Sequence, residues 1–166
     1  MKVNIAILTV TDTRTFENDK SGAILVKKIE EASHNLIDRQ ICKDNKDDVK
    51  KILKRWLDKK EIDVIITTGG TGLTGRDITP EAVNDIADKY IPGFGEVFRT
   101  LSLKTVGTSA IQSRACAVLA NGKYVFALPG SSGGVVDAWD GILKHQLDIN
   151  HKPCNFVELF PRLKEK

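Results

Sequence analysis

Two glycine-rich stretches and a set of aspartates are the parts of this chain that could do chemistry. The first stretch is Thr67-Thr68-Gly69-Gly70-Thr71-Gly72-Leu73-Thr74-Gly75-Arg76-Asp77, and the second is Leu128-Pro129-Gly130-Ser131-Ser132-Gly133-Gly134. Glycine permits positive φ and lets backbone N–H groups come close to an anion. A helix start beside such a loop adds unpaired donors and a partial positive charge. Gly69, Gly70, Thr71 and Gly72 in the first stretch are therefore candidate phosphate-binding positions, as are Pro129, Gly130, Ser131 and Ser132 in the second. Either loop alone reads equally well as a tight strand–helix connection, since Gly and Ser dominate such turns. Two on one edge shift the balance toward phosphate.

The carboxylates extend that chemistry. Asp77 closes the first loop just before a helix start. A carboxylate among phosphate-binding loops is unfavourable unless a cation bridges it to the ligand, and Mg²⁺ does so with one or two carboxylates plus phosphate oxygens. Taken alone, Asp77 reads as a solvated turn residue. Asp44 follows the second expected strand, and Asp12 and Asp19 lie in the loop after the first, all on the same edge. Asp19 precedes Ser21-Gly22 and reads as structural too. Ser113 and Arg114 form a candidate phosphate clamp, the alternative being a surface arginine on a helix. Two known nucleotide patterns fall short. Gly70, Gly72 and Gly75 spell G-x-G-x-x-G, yet that fingerprint should run straight into a helix, whereas Pro80 starts the helix several residues later. Gly70 and Gly75 have Walker A spacing, but Arg76-Asp77 stands where Lys-Ser/Thr is required.

The elements that must position these loops alternate. Val3–Val10, Leu36–Cys42, Val64–Thr68 and Tyr124–Leu128 read as strands, the apolar β-branched run of the first suiting a buried central strand. Residues 22–32 place Leu25, Val26, Ile29 and Ala32 at helical spacing, with Ser21 as N-cap. Asp47–Lys59 carries Val49, Ile52, Leu53, Trp56 and Leu57 on one face. Thr79-Pro80-Glu81 reads as cap, first-turn proline and first-turn acid, opening a helix with Val83, Ile86, Ala87 and Tyr90 inward. Ile91-Pro92-Gly93 breaks it. Helices are also expected over Phe94–Leu101 (Phe94, Val97, Phe98 and Leu101 inward), over 108–120 (Ile111, Ala115, Val118 and Leu119 inward) and over Val135–Leu147. The tail from His151 reads as irregular or extended. Alternation of this kind implies an α/β domain whose largely parallel sheet is covered on both faces. Such sheets bind ligands at the carboxyl ends of their strands, where both glycine loops fall.

With 166 residues, 41% hydrophobic and 28% charged, the chain reads as one globular domain. Twenty-five Lys and Arg against 22 Asp and Glu leave +3, no footprint for nucleic acid or a membrane surface. Cys42, Cys116 and Cys154 form no CxxC pair and read as reduced thiols, and His34, His145 and His151 lack metal-site spacing. The amino-terminal apolar run is too short to span a bilayer and shows no cleavage site, so a cytoplasmic location is expected.

Gly69-Gly70-Thr71-Gly72, Arg76-Asp77-Ile78-Thr79-Pro80-Glu81-Ala82, Ile91-Pro92-Gly93-Phe94-Gly95-Glu96, Ser113-Arg114 and Leu128-Pro129-Gly130-Ser131 together resemble the MoaB/MogA family of molybdenum cofactor biosynthesis proteins. Ala6–Val10 and Asp19-Lys20-Ser21-Gly22 extend the likeness over nearly the whole chain. Ile111–Ala115 and Pro153–Phe156 look more like the MoaB branch. The resemblance implies a three-layer α/β/α fold and molybdopterin, a pterin with a dithiolene and a terminal phosphate, as ligand. It also implies transfer of AMP from Mg-ATP to that phosphate, with metal insertion as a separate step for a partner protein. A homo-oligomer, trimeric or hexameric, is implied as well. Two family aspartates linked to catalysis match Asp77 and Asp44, which also become the expected Mg²⁺ ligands. Gly69, Gly70, Gly72 and Ser131 match ligand-loop positions. A non-catalytic molybdopterin carrier and a nicotinamide-dependent oxidoreductase are the alternatives.

Overall fold

The computed structural model describes residues 1–165 and has a six-stranded sheet at its centre, in the order β2-β1-β3-β6-β5-β4. The elements run β1 (Asn4–Val10), α1 (Lys20–Glu31), β2 (Asn35–Cys42), α2 (Lys46–Asp58), β3 (Val64–Thr68), α3 (Thr79–Asn84) and β4 (Lys89–Tyr90), followed by α4 (Pro92–Val106). A 3-10 turn (Gly107–Gln112), β5 (Cys116–Ala120), β6 (Lys123–Leu128) and α5 (Ser132–Ala138) follow. A π-helical turn (Trp139–Leu143) then leads into α6 (Lys144–Gln146). β2, β1, β3 and β6 are parallel neighbours, while β5 and β4 join antiparallel at one side.

Helices cover both faces, giving the three-layer α/β/α arrangement. On one face Ile5, Ile7, Ile66 and Phe126 pack with Leu25 and Ile29 of α1, Phe98 of α4 and Trp139. On the other, Leu8, Ile65 and Val125 pack with Val49, Leu53 and Trp56 of α2 and Val83. Every residue of β3 and β6 is buried, which explains why these strands read as continuous apolar runs without alternation. Each large side chain fully withdrawn from water contributes about 1.5–3 kcal/mol.

Strand order reverses between β1 and β3: the chain leaves β1 for β2 on one side and returns to β3 on the other. That reversal opens a crevice at the carboxyl ends of β1 and β3. The opposite edge is structural. There the ammonium of Lys123, its pKa lowered by burial, donates to the carbonyls of Lys59 (2.7 Å) and Ile62.

Several local expectations are corrected. Residues 108–120 are not a helix; they form the 3-10 turn and β5, leaving Ile111 81% exposed. An Asn121-Gly122 turn with φ of 48° and 71° folds β5 back on β6, and such positive-φ pairs make tight hairpins. The ladder to β6 overrides the helical preference of the alanines. Tyr90 is no core residue of α3, which ends at Asn84; it lies 64% exposed on β4. Val97 is exposed on α4, and Pro92 begins that helix where a simple break was expected. α1 is capped by Asp19, whose side chain accepts from Gly22 N, and not by Ser21. Thr79 does not cap α3. The tail includes a 3-10 helix, Val157–Arg162.

Candidate functional site

The two glycine loops meet backbone to backbone at the carboxyl edge. Gly69 N donates to Leu128 O (3.0 Å) and Thr68 Oγ1 to Pro129 O (2.7 Å). A Cβ placed on Gly130 would stand 3.2 Å from Gly69 Cα. Gly69 itself has φ +100°, and a Cβ there would lie 2.2 Å from the carbonyl oxygen of Val10, the last residue of β1. Only glycine can hold this path between β1 and β6. Thr79 Oγ1 donates to Gly69 O (2.8 Å) and its amide to Gly70 O (3.0 Å), so the hydroxyl expected to cap α3 locks the loop instead.

Asp77 folds back over this loop. Its Oδ2 accepts from the Thr74 amide (2.9 Å) and hydroxyl (2.8 Å). Partial burial pushes its pKa up, but the Thr74 and Gly72 hydrogen bonds and the Arg114 charge outweigh that, so it lies below the ordinary carboxylate range. Arg114 braces the loop from beneath: its guanidinium donates to Gly72 O (2.7 Å), Asp77 O (2.6 Å) and the Glu81 carboxylate, and its amide to Thr71 O. Four of its five N–H donors are engaged by protein, so in this structure it supports the Gly72–Asp77 loop.

Asp44 sits beside the loop, its Oδ1 3.5 Å from where a Cβ on Gly70 would be. Burial first, then the negative charges of Asp12 and Asp77, hold its pKa above the ordinary value. Asp12 knits three loops together: one oxygen accepts the Asp44 amide (3.0 Å) and the other the Arg76 guanidinium. Those two bonds hold the Asp12 pKa low. Sequence reading gave Arg76 no role in the site; here it pairs with Asp12 and its charge also acts on Asp44.

Asp19, Ser21 and Gly22 divide in role. Asp19 is buried, and its carboxylate accepts from Thr9 Oγ1 (2.7 Å), Gly22 N (3.0 Å) and Arg39 Nη2 (2.9 Å), a structural knot at the start of α1. Burial pushes its pKa up, but these partners more than offset it. Gly22 is required there because a Cβ would collide with Asp19. Ser21 Oγ donates to Gly130 O (2.7 Å), and Arg14 Nη1 donates to the same oxygen (3.0 Å), tying the β1 loop to the second glycine loop. Arg14 escaped sequence reading, since only the fold brings residue 14 to residue 130.

Ser131 caps α5 by accepting Gly134 N (3.1 Å), and Ser132 begins that helix. Ser113, Pro129 and Ser131 line a groove of about 380 Å³ that runs from the second glycine loop between α4 and α5. A hollow of about 410 Å³ lies elsewhere, lined by Ile91, Phe94, Val97 and Ile142; it holds none of the candidate phosphate-binding or catalytic residues. Among the described residues no three His, Cys, Asp or Glu side chains cluster as a ready-made metal cage, and no helix is long and apolar enough to cross a membrane.

Two glycine loops and a group of carboxylates thus gather at the switch point of an open α/β sheet, the place where sheets of this class bind their ligands. The family described as "Probable molybdopterin binding domain" matches residues 6–149. Molybdenum cofactor biosynthesis protein B of Escherichia coli is 44% identical over 161 residues, covering 97% of this chain and 93% of that protein. The protein of the same name from Bacillus cereus is 43% identical over 147 residues, 88% of this chain and 87% of that one. A crystal structure of molybdenum cofactor biosynthesis protein B superposes with a TM-score of 0.90 at 38% identity, covering 100% of this chain and 98% of that one. The tungsten cofactor synthesizing protein MoaB from Pyrococcus furiosus superposes with a TM-score of 0.78 at 33% identity, over 87% and 92% of the two chains. The chain belongs to the MoaB/MogA family of molybdenum cofactor biosynthesis proteins.

Proposed function

We propose that this chain binds molybdopterin at the carboxyl edge and transfers AMP from ATP to its terminal phosphate, releasing pyrophosphate. The observation that carries the reading is the convergence of both glycine loops with Asp44 and Asp77: Gly69 touches Gly130, Asp44 flanks Gly70, and Asp77 is folded onto Gly72. The pterin takes the groove beside Ser113 and Ser131. Its phosphate reaches the loop junction, and the nucleotide phosphates lie toward Gly69–Gly72.

The nucleophile is an anionic phosphate oxygen, so no strong general base is required. That oxygen bonds to the α-phosphorus, the bond from that phosphorus to the bridging oxygen breaks, and the electron pair leaves with pyrophosphate. Catalysis on this account is positioning and charge neutralisation. Asp44 fits a cation site: burial and the neighbouring acids raise its pKa, and no Lys or Arg forms a salt bridge with it among the described residues. Asp77 is anionic and fixed in place by Thr74. These two would hold Mg²⁺, which when bound offsets the charge on the phosphates. Arg114 keeps Asp77 in register, and Arg14 and Ser21 keep the second loop against the first.

The test is pyrophosphate release from ATP, Mg²⁺ and molybdopterin. Release that requires all three supports the reading; molybdopterin binding without release leaves a carrier. We also infer a homo-oligomer, trimeric or hexameric, assembled through exposed apolar side chains such as Val97, Leu103 and Ile111; light scattering reads its mass. A partner protein would insert the metal into the product.

A further inference from the structure

The groove between α4 and α5 contains one carboxylate that the proposed chemistry leaves unused. Asp137 lines it, half-buried, and accepts Thr105 Oγ1 of α4 at its Oδ2 (2.8 Å). No Lys or Arg among the described residues pairs with it. The rest of the lining carries no charge, and it includes Ser102, Ser109 and Ser113 together with the apolar Phe98 and Val106. An ionised carboxylate is an acceptor-only group, and it is best matched by two parallel N–H donors. A flat heterocycle resting on an apolar wall and presenting two such donors along one edge fits this site.

A pterin has that edge, formed by N3–H and the 2-amino group. The spacing also agrees. Asp137 lies six residues beyond Ser131, an axial rise of about 9 Å, comparable to the span from the donor edge of a pterin to a phosphorylated side arm. We propose that Asp137 reads the N3–H and 2-amino edge of the pterin and makes the groove selective for 2-amino-4-oxopteridines. This rests on the reading above that the groove takes the pterin. Lumazines carry a carbonyl in place of the 2-amino group and would set that oxygen against the carboxylate. An asparagine at this position offers one acceptor and one donor, the complement of the lumazine N3–H and 2-carbonyl.

The experiment is a fluorescence titration of the wild type, Asp137→Asn and Asp137→Ala with 6-hydroxymethylpterin monophosphate and the matching lumazine phosphate. The wild type is expected to favour the pterin by on the order of tenfold, since an unpaired polar group in a closed site costs about that much or more. Asp137→Asn is expected to invert the preference, and Asp137→Ala to abolish it. A merely structural role would weaken both ligands together and leave their ratio unchanged. A wild type that prefers the pterin, with Asp137→Asn retaining that preference, overturns the role of Asp137 and leaves the groove reading standing. A wild type that binds neither phosphate at millimolar concentration overturns both. Pyrophosphate release is scored separately, so failure of adenylyl transfer is distinguishable from failure at this edge.

Discussion

Gly69→Ala tests how the site is built. Gly69 is at φ +100°, and an added methyl carbon would stand 2.2 Å from Val10 O, inside the 3.0 Å that real contacts respect. The obstacle is backbone of a central strand, so no side chain can turn aside to make room. The left-handed conformation costs alanine about 1–2 kcal/mol, and forcing β1 from the loop costs a further 1–3 kcal/mol or so, as overpacking does. The sum, about 2–5 kcal/mol, reaches the high end for a single substitution, and it lowers Tm by roughly 4–20 °C for a domain of this size. Gly75 is the control: nothing lies within 4 Å of its Cβ position, so Gly75→Ala stays within about 0.5 kcal/mol of wild type. Thermal unfolding by circular dichroism reads both, and pyrophosphate release follows the loss at Gly69. A Gly69→Ala protein as stable as Gly75→Ala would refute the claim that this glycine is fixed by its approach to β1.

Asp77→Asn removes the carboxylate while keeping its shape. Pyrophosphate release should fall by on the order of a hundredfold or more, while the weakened Thr74 hydrogen bonds cost only about 1 kcal/mol in a urea titration. Asp44→Asn should also end turnover, yet leave the substrate-free protein as stable as wild type or more so at pH 7. The Asp44 pKa is raised by burial and by Asp12 and Asp77. Its contribution to stability is therefore present below the unfolded value of about 3.9 and lost as pH rises through the folded value. The variant's Tm advantage should accordingly vanish below about pH 4; an advantage that grows on acidification would show the sign to be wrong. Arg114→Met removes the brace from the Gly72 and Asp77 carbonyls and strands the partly buried Glu81. It should cost about 1–3 kcal/mol and slow turnover more than it weakens molybdopterin binding, which a split of kcat from KM would show.

How much of this was visible in the sequence varied with length scale. β1, β3 and β6 were legible because buried parallel strands keep continuous β-branched runs, and their ends located both loops. Ala115–Ala120 misled, because a short alanine-rich strand has no period of its own. Its identity comes from the Asn121-Gly122 turn and the ladder to β6. Lys89–Tyr90 is too short to signal a strand at all. In the site, residue types and the shared edge were legible from Gly69–Gly72, Asp77 and Pro129–Ser131. Partnership was not. Whether Asp19 meets a ligand or Thr9, whether Arg114 clamps phosphate or braces Asp77, and whether Arg14 reaches Gly130 all depend on contacts separated by between 10 and 116 residues.

The most direct test of the shared site is an anomalous diffraction measurement on crystals holding Mn²⁺ and a non-hydrolysable ATP analogue. The account predicts one strong peak between the Asp44 and Asp77 carboxylates, touching the analogue's phosphates beside Gly69–Gly72. A peak bound elsewhere, or nucleotide phosphates ordered away from both glycine loops, would contradict it.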